Sequence, residues 1–163
     1  MTRAYLDLHH AVWIAVACAP LWTGAAPIEV GSDWQALTLK DQHEQPLVVG
    51  PATRKVIFVA EKPVNDLVVS ALGAQGKTTL TRAGALYVAD ISAMPAIISR
   101  LFALPKLREL SFPIALAHEA SDVADLPRRA GAATVMTLDN GKVTQVQYLQ
   151  TEAQLRQAFA ITP

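Results

Sequence analysis

Lys55-Val-Ile-Phe-Val-Ala-Glu-Lys-Pro-Val-Asn-Asp66 is the stretch on which the fold turns. Val56 to Val59 form an unbroken run of β-branched and aromatic residues, the composition of a strand covered on both faces of a sheet. Val64, Leu67, Val68, Ala71 and Leu72 then recur at helical spacing, so the chain is predicted to pass straight from a central buried strand into a helix that covers it. The turn between them, Glu61 to Asp66, contains no cysteine.

Downstream, Gly73 to Gly76 read as the helix stop. Gly76-Lys77-Thr78 matches only the end of a phosphate-binding loop, since the glycine required five residues earlier is Ala71 and no strand leads into it. Ala85 to Ile91 form a second buried strand with an acid near its end. A helix from Pro95 to Leu110 comes next, with Ile97, Ile98, Leu101, Phe102, Leu104 and Leu107 as its apolar face and Pro105 expected to break or kink it. Two readings of that helix stand: a core helix, or a broken one that leaves Leu104 or Leu107 exposed as a docking edge for a partner. Phe112 to Ala117 give a third strand, whose Pro113 suits an edge or a strand start. Ser121 to Ala130 give a short surface helix capped by Ser121 or Asp122. Ala133 to Leu138 and Val143 to Leu149 alternate as strands around Asn140-Gly141, whose residues accept the positive φ of a type I′ turn. Thr151 and Gln154 are placed for a capping box on a closing helix with Leu155, Ala158 and Phe159 on its apolar side. Upstream, Leu37 and Leu39 alternate with Thr38 and Lys40, and Leu47-Val-Val comes after a polar turn at Asp41 to Pro46. That is a hairpin, although no glycine marks its turn.

Charge and cysteine content limit the chemistry. Lysine and arginine balance aspartate and glutamate at 14 each, so no net field draws the chain to nucleic acid or to an acidic membrane as a whole. The one cysteine, Cys18, excludes an intramolecular disulfide. It falls within residues 1–26, which read as an export segment: Arg3, an apolar run from Ala11 to Ala19 too short to span a bilayer, and small residues Thr23-Gly-Ala-Ala26 suited to cleavage after Ala25 or Ala26. The competing reading is an amphipathic N-terminal helix. Ala15-Val-Ala-Cys18 is also a degenerate lipidation motif without its usual leucine, which would make Cys18 a lipid anchor; otherwise Cys18 is an apolar residue lost with the signal. The folded domain is expected over residues 27–163.

The element order, with parallel strand-helix-strand units before an antiparallel pair and a last helix, resembles the thioredoxin-like superfamily. Within it the resemblance is to the peroxiredoxin and cytochrome-maturation types, which add an N-terminal β-hairpin. The stretch Leu37 to Leu47 is similar to that hairpin, with Glu44 where a glycine usually stands. Ala132-Ala-Thr-Val-Met-Thr-Leu-Asp-Asn-Gly-Lys142 is similar to the strand-turn pattern before the last helix. The resemblance implies an α/β three-layer sandwich. It also places the two redox cysteines at Pro63 and Asp66 and the family's cis-proline at Ala132, where a trans bond is expected instead. Neither Pro63 nor Asp66 forms a thiolate, so disulfide exchange and thiol-dependent peroxide reduction are excluded.

In open α/β sheets ligands collect outside the carboxyl ends of the strands, which here carry Glu61, Asp66, Asp90, His118, Glu119 and Asp122. These are either solvated strand ends or a site, and no spacing among them is diagnostic of a metal. A ligand, if bound, is expected where Glu61, Pro63, Asp66, Asp90, His118 and Ala132 gather, with Pro63 and Ala132 as apolar floor and Glu61 and Asp90 as polar rim, for a protein segment or a small polar molecule. The leading expectation is an exported, periplasmic-type binding or accessory module without thiol chemistry and without cofactor or metal. The alternative is an enzyme, either a thiol-independent one using Glu61, Asp90 and His118 or a redox relative whose chemistry has moved elsewhere.

Overall fold

The computed structural model describes residues 26–50 and 52–161, so all but Ala26 of the segment 1–26 expected to serve export, Cys18 included, lies outside the described residues. Seven strands form one mixed sheet: β1 Leu37–Lys40, β2 Pro46–Val49, β3 Lys55–Val59, β4 Ala85–Asp90, β5 Ile114–Ala117, β6 Ala133–Asp139 and β7 Lys142–Leu149. Their order is β2-β1-β5-β4-β3-β6-β7. β3 runs parallel to β4 and antiparallel to β6, and β4 runs parallel to β5. The N-terminal hairpin joins through β1 and β5 at the far edge.

Alternation along β3 divides the core in two. Ile57 and Val59 face helices α1 (Lys62–Leu72), α2 (Gly76–Ala83) and α5 (Glu152–Ala158), together with Leu104. Val56 and Phe58 face the other way, where Trp34, Val123 and Leu126 close the sheet with a 3-10 turn at Ala120–Val123 and the segment before β1. All four residues Val56 to Val59 are buried, as a strand covered on both sides requires. Trp34 fixes the second layer by donating its indole N–H to the carbonyl of Val49 at 2.9 Å.

Both hairpins form as the sequence predicts. Asn140 and Gly141 have φ of 49° and 78°, and Thr151 and Gln154 make the reciprocal bonds of a capping box on α5. In the first hairpin Glu44 has a φ of 64°, a left-handed conformation imposed by the turn that Asp41 ties with bonds from the N–H groups of His43 and Gln45. A β-carbon there costs about 1 kcal/mol or more. Glu44→Gly is therefore expected to raise stability by about 0.5 kcal/mol after glycine's unfolded-state entropy is subtracted. Its ion pair with Lys40 is exposed and weighs little. A urea melt reads the change, and a loss of stability would refute it.

Three readings of the chain need correction. Gly73, at φ 50°, breaks α1 through a 3-10 turn but does not end the helical layer: Gly76 is right-handed, α2 runs to Ala83, and Gly84 at φ 59° is the true stop. Gly76-Lys77-Thr78 accordingly opens a helix that comes after another helix. The Pro95–Leu110 helix is three pieces, α3 Ala96–Ile98, a π-helical turn Ser99–Ala103 and α4 Leu104–Arg108. Between Ser121 and Ala130 only the 3-10 turn forms, and its cap is Glu119, paired with Asp122, in place of Ser121 or Asp122.

Candidate functional site

The carboxyl ends of β3 and β4 lie beside the start of α1, and Glu61 stands at their junction. It is the N-cap residue of α1, yet its side chain makes no bond to its own helix; its Oε1 accepts from the N–H of Gly131 at 3.1 Å, across the sheet end. Gly131 has a φ of 68°, a left-handed bend that folds the loop before β6 onto this point. Ala132 is next in the chain and buried, and no described peptide bond is cis, so the bond before Ala132 is trans.

Two cavities flank Glu61. The smaller, about 210 Å³, lies between Glu61, Ala132, Phe58 and the guanidinium groups of Arg128 and Arg129. The larger, about 310 Å³, has an apolar floor and walls of Val59, Ala89, Ile91, Met94, Ala103 and Leu107, with Glu61, Lys62, Asn65, Asp66, Asp90 and Lys106 as its polar groups. Beneath it the fully buried Tyr87 donates its hydroxyl to Asn65 Oδ1 at 2.8 Å. Burial, and then the nearby Asp66 carboxylate, push the Tyr87 phenol far above its ordinary range, so it stays a neutral donor that anchors α1 to β4.

The acids at this site already have partners. Asp90, with its side chain only 7% exposed, receives Ser92 N–H at 3.0 Å and Ser92 Oγ at 2.6 Å on one oxygen, and Arg128 at 3.2 Å on the other. Arg128 also donates to the carbonyl of Val123 at 2.9 Å and lies 5.3 Å from the centre of the Phe58 ring, spanning the sheet end like a strap. Asp66 is ion-paired to Lys62 one helical turn away.

The structure brings Glu61, Asp66 and Asp90 together around the larger cavity and sets Glu61 against Ala132 in the smaller one. Pro63 sits exposed on the first turn of α1 and lines neither. His118 lines a third cavity of about 610 Å³ with Arg100, Arg108 and Glu119, which shares only Ile91 and Met94 with the larger cavity beside Glu61. Among the described residues no group of three His, Cys, Asp or Glu could hold a metal ion. Sequence reasoning misses Arg128, Ser92, Asn65 and Tyr87. Of these, Ser92 is legible, because Asp90-Ile-Ser92 is a local turn in which the carboxylate bonds the backbone two residues on. Nothing in the spacing links Arg128 to Asp90, 38 residues away.

Neither family models nor curated proteins match the chain. Solved structures do. A peroxidoxin, BcpB from Mycobacterium tuberculosis, is 16% identical and superposes with a TM-score of 0.54 over 83% of this chain and 99% of that one. A putative protein disulfide isomerase from Bacteroides thetaiotaomicron is 14% identical, with a TM-score of 0.57 over 82% of this chain and 87% of its own. The chain has a thioredoxin-like fold. A thiol:disulfide interchange protein from Bacteroides sp. gives the same result, at 13% identity and a TM-score of 0.54 over 82% of this chain and 90% of its own. At these identities the likeness establishes architecture, and the chemistry rests on the residues present. In this thioredoxin-like fold the turn Glu61–Asp66, between the central strand and α1, contains no cysteine, and the chain's one cysteine is Cys18.

Proposed function

We propose that this thioredoxin-like chain is an exported module of the cell envelope that binds a short peptide segment or small polar ligand in the cavity between α1 and α4, without thiol redox chemistry. The observation that carries the reading is the cavity of about 310 Å³ outside the ends of β3 and β4: an apolar floor with a few convergent polar groups is the form of a binding site. Glu61, Asp66 and Asp90 each hold a hydrogen-bonded or ion-paired partner, which favours a role in shaping the rim over proton transfer. Supporting export are the residues of the segment 1–26; no helix among the described residues is long and apolar enough to cross a membrane.

The test is amide chemical-shift mapping of the isotope-labelled protein during titration with a pool of short peptides, and then of the Ala103→Trp variant, which fills the cavity from α4's side. Shifts are expected at Asn65, Ile91 and Ala103, with affinity reduced about ten-fold or more in Ala103→Trp. Shifts clustered around His118 and Glu119, or binding unchanged in the variant, would overturn the site.

A further inference from the structure

The segment Ala96–Arg108 is built inside out. In a regular α-helix of about 3.6 residues per turn, Ile97, Leu101 and Leu104 share one stripe. The π-helical turn at Ser99–Ala103 widens the helix and rotates the turn after it, so that Leu104 is buried and Leu107 half-buried while the large residues before them point the other way. Ile97, Leu101 and Phe102 are 65%, 62% and 61% exposed and Ile98 is 42% exposed, whereas the small Ser99 is the residue turned inward. Four large apolar side chains close together on one short surface element form the kind of patch that marks an interaction surface.

The charge around the patch indicates what covers it. From Ile91 to Arg108 the chain carries Arg100, Lys106 and Arg108 and no acid. Lys106 lines the cavity on one side of the helix, and Arg100 and Arg108 line the cavity on the other, so the apolar stripe rises between cations. Of the acids in those cavities, Asp66 is engaged with Lys62, Asp90 with Arg128, Glu44 with Lys40 and Glu61 with Gly131, which leaves Glu119 beside three cations. An apolar stripe bordered by basic side chains is the pattern of an element lying in the plane of an anionic bilayer: the isoleucines, leucine and phenylalanine enter the acyl boundary, and arginine and lysine stay at the headgroups. We propose that Ile97, Ile98, Leu101 and Phe102, flanked by Arg100 and Lys106, dock this domain on an anionic phospholipid surface.

The experiment is co-sedimentation of the full chain with vesicles of phosphatidylglycerol and phosphatidylcholine, against vesicles of phosphatidylcholine alone. The wild type, the double variant Leu101→Ser/Phe102→Ser and the double variant Arg100→Gln/Lys106→Gln are compared, with circular dichroism confirming that each is folded. Wild type is expected to pellet with the anionic vesicles, with partitioning reduced about ten-fold or more by the serine variant and also weakened by the glutamine variant and by high salt. Because all proteins carry residues 1–26, equal pelleting of the serine variant assigns binding to that segment and overturns the proposal. Failure of the wild type to pellet overturns it too. So does a lipid-free dimer that the serine variant dissociates, which would assign the face to a second copy of the chain.

Discussion

Replacing Gly76 by alanine is expected to cost about 1–3 kcal/mol of stability, although alanine is the better helix former. Gly76 is helical and needs no unusual backbone; what it provides is space. A β-carbon built there lies 2.4 Å from both Cδ1 and Cε1 of Phe112 and 3.3 Å from Leu72 Cβ. Phe112 has little room to withdraw, being buried, packed against Tyr87 at a ring separation of 6.4 Å and held at its carbonyl by the buried Gln42 amide at 2.9 Å. The clash exceeds the roughly 0.5–1 kcal/mol that a glycine-to-alanine change normally gains within a helix. In a chain of this size each kcal/mol corresponds to about 2–4 °C in Tm. Adding Phe112→Leu to Gly76→Ala should recover part of the loss, a coupling that a double-mutant cycle measures. A Gly76→Ala protein as stable as wild type would show that Phe112 gives way to a side chain on α2.

Arg128→Ala is expected to destabilise by a similar amount, about 1–3 kcal/mol, for a different reason. Arg128 is itself about half exposed, so its attraction for Asp90 is screened by solvent; the cost comes from the partner left behind. Without the guanidinium, one carboxylate oxygen of the nearly buried Asp90 loses its donor, the Val123 carbonyl loses another and Phe58 loses its cover. Asp90→Asn introduced into Arg128→Ala should restore much of the loss, because a neutral amide does not need a cation opposite it. Equal stability of Arg128→Ala and wild type in urea would demote the strap to a surface contact.

The architecture is legible because its signals are local and repeated. The run Val56–Val59, the Asn140-Gly141 turn and the Thr151–Gln154 box each name an element without reference to the rest of the chain, whereas the left-handed φ of 64° at Glu44 is a conformation that glycine, not glutamate, signals. The features that escape a sequence reading are set by tertiary contact. Gly76 looks like a helix stop until Phe112 is seen to occupy the space a side chain would need. The apolar periodicity of Ile97 to Leu107 predicts one buried face, and one widened turn converts it into two faces, only one of them buried. At the site, Glu61, Asp66 and Asp90 are readable from their place after strands. His118 also ends a strand, β5, but it opens into a different cavity, and Arg128 reaches Asp90 from a loop that carries no motif.

The central claim, a thioredoxin-like fold without its thiol chemistry, is tested most directly by assaying the full chain and its Cys18→Ala variant for reduction of an insulin disulfide with dithiothreitol and for thiol-dependent consumption of hydrogen peroxide. Rates equal to the protein-free blank are expected for both proteins in both assays, because the turn Glu61–Asp66 contains no cysteine to supply a thiolate. Turnover that survives in Cys18→Ala, or turnover in the wild type that disappears with Cys18, would contradict that claim.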